Sequence, residues 1–378
     1  MKIAVNAADL CSARIDGTRI YIKNVLNHLG GLGGTADSFF IYLKGALNPN
    51  LSFTMHPNYM LRRSRSPFFW TQLRLPFALA KDRPDVLWMP LQTVPFMLKD
   101  SIETVVTIHD LAFKMFPDHF PRKDLLLLSL FTKHAVKRAS RVIAVSENTK
   151  KDVVRFYGID PQKITVVYHG YDENIFNIDN AQDVVKIEEA RSKYKIKGRY
   201  VLYAGAIQPR KNLDTLIASF ELLKKDPKYN EFTLVIAGSN AWMYEQIHQR
   251  AAASPCKEDI IFTGPYVTED LPQLLGGAEV FVFPSLYEGF GIPLLEAMAC
   301  GVPVVSADNS SLPEVGGEAI IYCDAASKEN LAERIKLALG DIKLREEMVK
   351  KGLEQVKKFS WEICAQKTFA VLTGKSVV

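Results

Sequence analysis

The feature that most constrains this chain is a repeated alternation of short apolar runs with helix-length segments. Runs at residues 2–6, 85–89, 104–109, 141–145 and 164–168 are followed, after a break, by runs at 200–204, 233–237, 260–263, 280–284, 302–306 and 319–322. Most are Val/Ile/Leu stretches without polar alternation, the pattern of strands buried on both faces. Helical periodicity fills the intervals, for example at 124–139, 213–225 and 329–339. Such alternation demands parallel sheets covered by helices. The polar, charged stretch 174–198 carries no strand pattern and divides the chain. The expected fold class is α/β, with two doubly wound parallel-sheet domains, an ordinary number for 378 residues. Sheets of this kind bind ligands at the carboxyl ends of their strands.

Composition narrows the function classes. Hydrophobic residues make up 48% and charged residues 24%, which excludes a disordered chain. The five cysteines, Cys11, Cys256, Cys300, Cys323 and Cys364, are dispersed, with no CxxC and no neighbouring His cluster. A disulfide framework and a zinc site are not expected, and neither is any other metal. No apolar run reaches the roughly 18 residues of a membrane span. The opening MKIAVN reads as a buried strand rather than a leader, so a cytoplasmic protein is expected, or one peripheral to the inner face of the membrane. From Ser38 to Lys81 there is no acidic residue, while Lys44, Arg62, Arg63, Arg65, Arg74 and Lys81 are interleaved with Phe68, Phe69 and Trp70. That mixture suits an anionic membrane surface or an anionic ligand as a partner, or equally a solvated basic face over a buried aromatic cluster. No nucleic-acid partner is expected.

The segment richest in chemistry is VFVFPSLYEGFGIPLLEAMACG, residues 280–301. A strand ends at Pro284, a loop carries Glu288, Gly289, Phe290 and Gly291, and Pro293 sits where a first helical turn tolerates proline. Gly289 and Gly291 remove side chains where backbone would approach a ligand. Free N–H groups at a helix start make an anion site suited to a diphosphate. Glu288 and Glu296 place one carboxylate on the loop and one a turn into the helix, and a carboxylate can accept from the two hydroxyls of a ribose.

The segment 288–296 resembles the E-x7-E signature of retaining glycosyltransferases of the GT-B fold, which have two facing Rossmann-like domains. Its wider wording is similar to the GT4 group, also called glycosyltransferase family 1 by domain name. The resemblance implies a first, acceptor-side domain at 1–175, with a C-terminal helix at 360–378 packing back on it. It implies a linker at 176–198 and a nucleotide-sugar domain at 199–359. YVLYAGAIQPRKNLDTLI brings Arg210 and Lys211 to a helix start, where in the family the pair neutralises the leaving diphosphate. His109, in the sequence THD, takes the family's position against the donor sugar; Asp110 either orients it or caps the next helix. Val267 with Tyr266 maps to the backbone that meets the nucleotide base. Gly17 is the one glycine of a loop that often carries two, at the acceptor side. His169 stands where Asn is common.

The resemblance implies transfer of a hexose from a nucleotide-diphosphate sugar to a saccharide or lipid-linked acceptor, with retention, without metal and without a cofactor. It implies front-face attack, in which the departing phosphate oxygen helps take the acceptor proton. Residues 109–117 are worded like the mannosyltransferase branch, so GDP-mannose is the leading donor and UDP-hexoses the next. Glu288, His109, Arg210 and Lys211 are the expected catalytic set. Arg210, Lys211, Gly289, Phe290, Gly291, Glu296, Val267 and Gly17 are the expected binding set. A nucleotide-sugar epimerase of the same fold and a non-catalytic nucleotide-sugar-binding subunit are the alternatives.

Overall fold

The computed structural model describes residues 1–34, 36–64 and 68–375. It divides into two units, Met1–Gly170 with Phe359–Val378, and Tyr171–Lys358. The first unit contains β1 (Lys2–Asn6), β2 (Ser38–Leu43), β3 (Tyr59–Arg63), β4 (Val86–Met89), β5 (Glu103–Ile108), β6 (Arg141–Ala144) and β7 (Ile164–Val166). They form one parallel sheet in the order β3-β2-β1-β4-β5-β6-β7. Its helices include α1 (Gly17–Leu32), α2 (Leu75–Asp82) and α3 (Arg122–Arg138). The C-terminal helix Trp361–Thr373 also belongs here and packs along α1. Ser360 caps it by accepting from Ile363 N at 3.1 Å.

β2 and β3 lie inside the basic stretch 38–81, where the charge pattern suggests a surface. β2 is SFFIYL, with its last five residues buried, and it pairs with β1 from Lys2↔Ser38 to Asn6↔Tyr42. The aromatics at 39–42 are therefore sheet core. Arg62, on the edge strand β3, binds Asp82 Oδ2 at 3.0 Å and stacks over the Phe40 ring at 4.9 Å. A carboxylate outside the acid-free stretch therefore pairs with it. Arg65 lies outside the described residues. Phe68 and Phe69 are exposed, whereas Trp70 is buried and donates from Nε1 to Asn6 Oδ1 at 2.9 Å.

The second unit contains β8 (Arg199–Ala204), β9 (Phe232–Ala237), β10 (Ile260–Gly264), β11 (Val280–Phe283), β12 (Val304–Ala307) and β13 (Ile321–Cys323). The sheet is parallel, in the order β10-β9-β8-β11-β12-β13. Its strand order reverses between β8 and β11, which is where doubly wound sheets open a crevice for ligands. Its helices include α4 (Ile178–Ala181), α5 (Val184–Lys193), α6 (Leu213–Leu223), α7 (Leu271–Gly276) and α8 (Ile292–Ala299).

Residues 176–198, expected as a linker, instead form α4 and α5 and belong to the second unit, whose boundary falls at 170/171. Their polarity reflects one exposed face; α4 and α5 both pack on α7. The approach is close: a Cβ on Gly276 would lie 1.7 Å from the Ala181 carbonyl oxygen. Backbone cannot yield there as a side-chain tip would. Gly276→Ala should cost about 3 kcal/mol and lower the unfolding midpoint of the second unit by about 6–10 °C in calorimetry. An unchanged midpoint would mean that α4 does not hold this packing.

Candidate functional site: a buried ion cluster at the switch point of the second sheet

β8 and β11 are neighbours, paired at Val280↔Val201 and Phe281↔Leu202, so the loops leaving their carboxyl ends are adjacent. The loop after β8 makes a single turn at Pro209–Lys211 and enters α6 through Asn212, which has φ 60°. Asn tolerates this left-handed geometry better than most residues, and its Oδ1 accepts locally from Thr215 Oγ1 at 2.7 Å. Here Asn212 Nδ2 donates to Pro284 O at 3.0 Å and Ala325 O at 2.8 Å, tying the turn to the loop after β11.

That tie brings three expected residues together. Lys211 Nζ lies 2.6 Å from Glu288 Oε1, and Arg210 Nη1 lies 3.2 Å from Glu288 Oε2. Arg210 Nη1 also donates to the Tyr287 carbonyl. All three side chains are buried. Burial alone would raise the Glu288 pKa, but the charges of Arg210 and Lys211 outweigh it and hold the carboxyl at about 2. Glu288 is therefore ionised throughout the ordinary pH range, an anion between two cations. Glu288 is also gripped through its backbone: its N–H donates to Ser310 Oγ at 3.0 Å, and Ser311 Oγ donates to its carbonyl at 2.9 Å and to that of Phe290 at 2.7 Å. Ser310 and Ser311 were not among the expected site residues, because serines after a strand carry no motif of their own. Tyr203 is another such case, a buried ring stacked on Phe283 and held neutral by burial and then by the charge of Glu288.

The other loop residues fall into two groups. Gly291 precedes α8 with φ 111°, a conformation that requires glycine, so its own backbone explains it. Phe290 is buried, and its carbonyl accepts from Ser311 Oγ. Glu296 lies on α8 in a setting unlike that of Glu288. Burial, and then the carboxylate of Asp172, push its pKa up to about 8. Tyr266 is its neighbour in charge, its hydroxyl pushed up by burial and by Glu296, and Val267 beside it is exposed past the end of β10. Gly289 sits between Glu288 and Phe290 on the same loop.

His109 and Gly17 belong to the first unit. Gly17 opens α1, where Asp16 is the cap, accepting from Arg19 N at 3.2 Å. His109 follows β5 and places Nε2 2.8 Å from the Pro90 carbonyl, which follows β4. A carbonyl only accepts, so Nε2 carries the proton and Nδ1 keeps the lone pair. Burial lowers the His109 pKa, opposed by the Pro90 carbonyl, Asp110 and Asp16, and the neutral ring is favoured. Asp110 accepts from Ala112 N at 3.0 Å and so caps the following turn rather than orienting His109. His169, which stands where Asn is common, is buried 4.8 Å from the Tyr21 ring and 5.5 Å from the His109 ring. Among the described residues no group of three or more His, Cys, Asp or Glu could hold a metal ion.

Glu296 makes stability depend on pH. With a folded pKa of about 8 against an ordinary 4.5, it binds a proton in the folded protein that the unfolded chain has released. Its contribution is thus fully present below about pH 4.5 and is lost as pH rises through 8. Glu296→Gln should flatten this slope and leave the variant more stable than the parent at pH 8.5 in urea titrations. Parallel slopes for the two proteins would show that Glu296 ionises freely.

Residues 15–174 match the family described as Glycosyltransferase Family 4, and residues 186–355 match Glycosyl transferases group 1. The chain is 30% identical over 275 residues to O-antigen chain mannosyltransferase B of Escherichia coli, covering 72% of this chain and 71% of that protein. It is 30% identical over 227 residues to the serotype-specific mannosyltransferase WbdA of Escherichia coli, covering 60% of this chain but only 28% of that longer protein. Among solved structures, HepE of Anabaena, in complex with UDP and glucose, superposes with a TM-score of 0.74 at 18% identity over 99% of both chains. The two parallel sheets are thus those of the GT-B fold, and the chain belongs to the group 1/family 4 glycosyltransferases, enzymes that transfer a sugar.

Proposed function

We propose that the protein transfers a mannosyl residue from GDP-mannose to a saccharide or lipid-linked acceptor, with retention and without a metal ion. The observation that carries this reading is the buried pairing of two cations, Arg210 and Lys211, with the single carboxylate of Glu288 at the switch point of the second sheet. When the bond from the anomeric carbon to phosphate breaks, negative charge grows on the leaving diphosphate. Two preorganised cations and the N-terminus of α8 stabilise that charge where water is excluded. Protein cations then do the work that a divalent ion does elsewhere. With a pKa of about 2, Glu288 is not a proton donor; it accepts hydrogen bonds from donor-sugar hydroxyls and holds Lys211 in place. Glu296 is assigned to the ribose hydroxyls, Val267 to the base, and His109 to the sugar through its Nδ1 lone pair. The departing phosphate oxygen takes the acceptor proton in front-face attack.

The names of the two mannosyltransferase relatives support the choice of sugar and a role in polysaccharide synthesis. A UDP-hexose donor is the second reading, favoured by the HepE structures with UDP and UDP-glucose. Acceptors of this kind place the reaction in the cytoplasm or on the inner membrane face.

Thermal shift against a panel of nucleotide sugars tests the donor, since a ligand at a hundred times its Kd adds about 2.7 kcal/mol. GDP-mannose should raise the midpoint and UDP-hexoses should not; the reverse pattern moves the assignment to a UDP-hexose. Lys211→Ala should lower kcat by about two to three orders of magnitude while circular dichroism stays unchanged. Near-normal turnover would remove Lys211 from the mechanism. Transfer should persist in EDTA, and product NMR should show the donor's anomeric configuration kept. An inverted product would refute the retaining mechanism.

A further inference from the structure

Phe69 stands in a conformation that its side chain resists. It adopts φ 51°, ψ 33°, an outlier for a bulky residue, and it opens the π-helical turn Trp70–Arg74. The residue is 74% exposed, so burial does not offset the strain. Strain of this kind persists only where the surroundings impose it, and it gathers at ligand sites. Here the next residue imposes it. Trp70 is drawn inward, where its Nε1 donates to Asn6 Oδ1 at 2.9 Å, on the last residue of β1. Phe69 is left on the wall of a cavity of about 290 Å³.

The cavity lies at the carboxyl ends of strands of the first unit. On its wall Asp9 follows β1, Lys44 follows β2 and Thr93 comes from the loop after β4, while Phe131 of α3 adds a second aromatic ring. These walls are pinned before any ligand arrives. Arg19 of α1 holds Asp9 Oδ1 at 3.3 Å. Asn48 N donates to Leu10 O at 2.9 Å and ties the loop after β2 to the turn after β1. Gln72 Oε1 accepts from Phe96 N at 3.0 Å and ties the π-helical turn to the loop after β4. That last loop also carries Pro90, whose carbonyl meets His109.

We propose that this cavity is a saccharide subsite, holding a sugar residue of the acceptor glycan with one face of the ring on Phe69 and its hydroxyls on Asp9, Lys44 and Thr93. The proposal rests on the reading of the protein as a transferase with a saccharide in its acceptor. The lining decides the occupant. A sugar ring has C–H groups on its faces and hydroxyls round its edge. The C–H groups meet the negative face of an aromatic ring, and the hydroxyls both donate and accept, which suits a carboxylate, an ammonium and a threonine together. A lipid tail would cover Asp9 and Lys44 without pairing either, at high cost. A phosphate would meet Asp9 as well as Lys44, so the carboxylate would oppose what the ammonium attracts. The volume suits a ring rather than an extended chain.

The test is saturation-transfer NMR of the full chain with neutral trisaccharides of mannose, glucose and galactose, followed by acceptor kinetics with the sugar that binds. The cavity lies within the first unit, so binding should need no nucleotide. Phe69→Gly should weaken binding by about tenfold. Glycine suits φ 51°, so the thermal midpoint of that variant should not fall. Phe69→Trp, which keeps an aromatic platform, should retain binding, and Thr93→Val should weaken it by about fivefold. In turnover, Phe69→Gly should raise the KM for the acceptor and leave the KM for the donor unchanged. Three results would overturn the proposal: no binding of any of these sugars by the wild type, equal binding by Phe69→Gly, or displacement of the bound sugar by inorganic phosphate or decanoate. Sugar binding that Phe69→Gly weakens, with no transfer from any nucleotide sugar, would keep the subsite and refute the mannosyl-transfer reading. Transfer with an unchanged acceptor KM in Phe69→Gly would do the reverse.

Discussion

The second unit depends on how a buried carboxylate is reconciled with two buried cations. Burying any one of Arg210, Lys211 or Glu288 alone would cost several kcal/mol. Together they are tolerable, because Glu288 lies 2.6 Å from one cation and 3.2 Å from the other. The arrangement needs the loops after β8, β11 and β12 held in register, and Asn212, Ser310 and Ser311 supply that by bonding to backbone of the β11 loop. Two cations and one carboxylate thus meet where strand order reverses and a helix begins.

The same segment shows how environment separates two identical side chains. Glu288 and Glu296 stand eight positions apart, yet one is held at about 2 and the other is pushed to about 8. Both are desolvated, so desolvation is not the difference. Glu288 has two cations beside it, whereas the charge nearest Glu296 in effect is the carboxylate of Asp172. At neutral pH the first is an anion and the second a neutral acid able to donate as well as accept.

The first unit uses its strand ends differently. There the carboxyl ends of β4 and β5 bring Pro90 to His109, and the hydrogen bond selects a tautomer. Rings stand beside His109: Tyr21 and His169, with Trp361 of the C-terminal helix 5.6 Å from His169. Each ring comes from a different part of the chain, so the cluster also fastens that helix to the sheet.

Much of this was legible in one dimension. Eleven of the strands announce themselves as buried apolar runs, because a parallel sheet covered on both faces leaves no room for polar alternation. Gly291, Pro293 and the spacing of Glu288 and Glu296 are local signals, and a loop entering a helix is a local structure. β2 and β3 were hidden because their aromatics stand among arginines, and a charge count does not show that Asp82 will meet Arg62. The stretch 176–198 reads as a linker because short helices with one exposed face are mostly polar; only the approach of Gly276 to Ala181 makes them part of a core. The sequence by itself determined the alternation, and with it the parallel sheets and the positions of the ligand-binding loops. Only the tertiary structure decided which charges meet. Arg210 and Glu288 are 78 positions apart, and the adjacency of β8 and β11, a long-range consequence of sheet order, is what makes one the partner of the other.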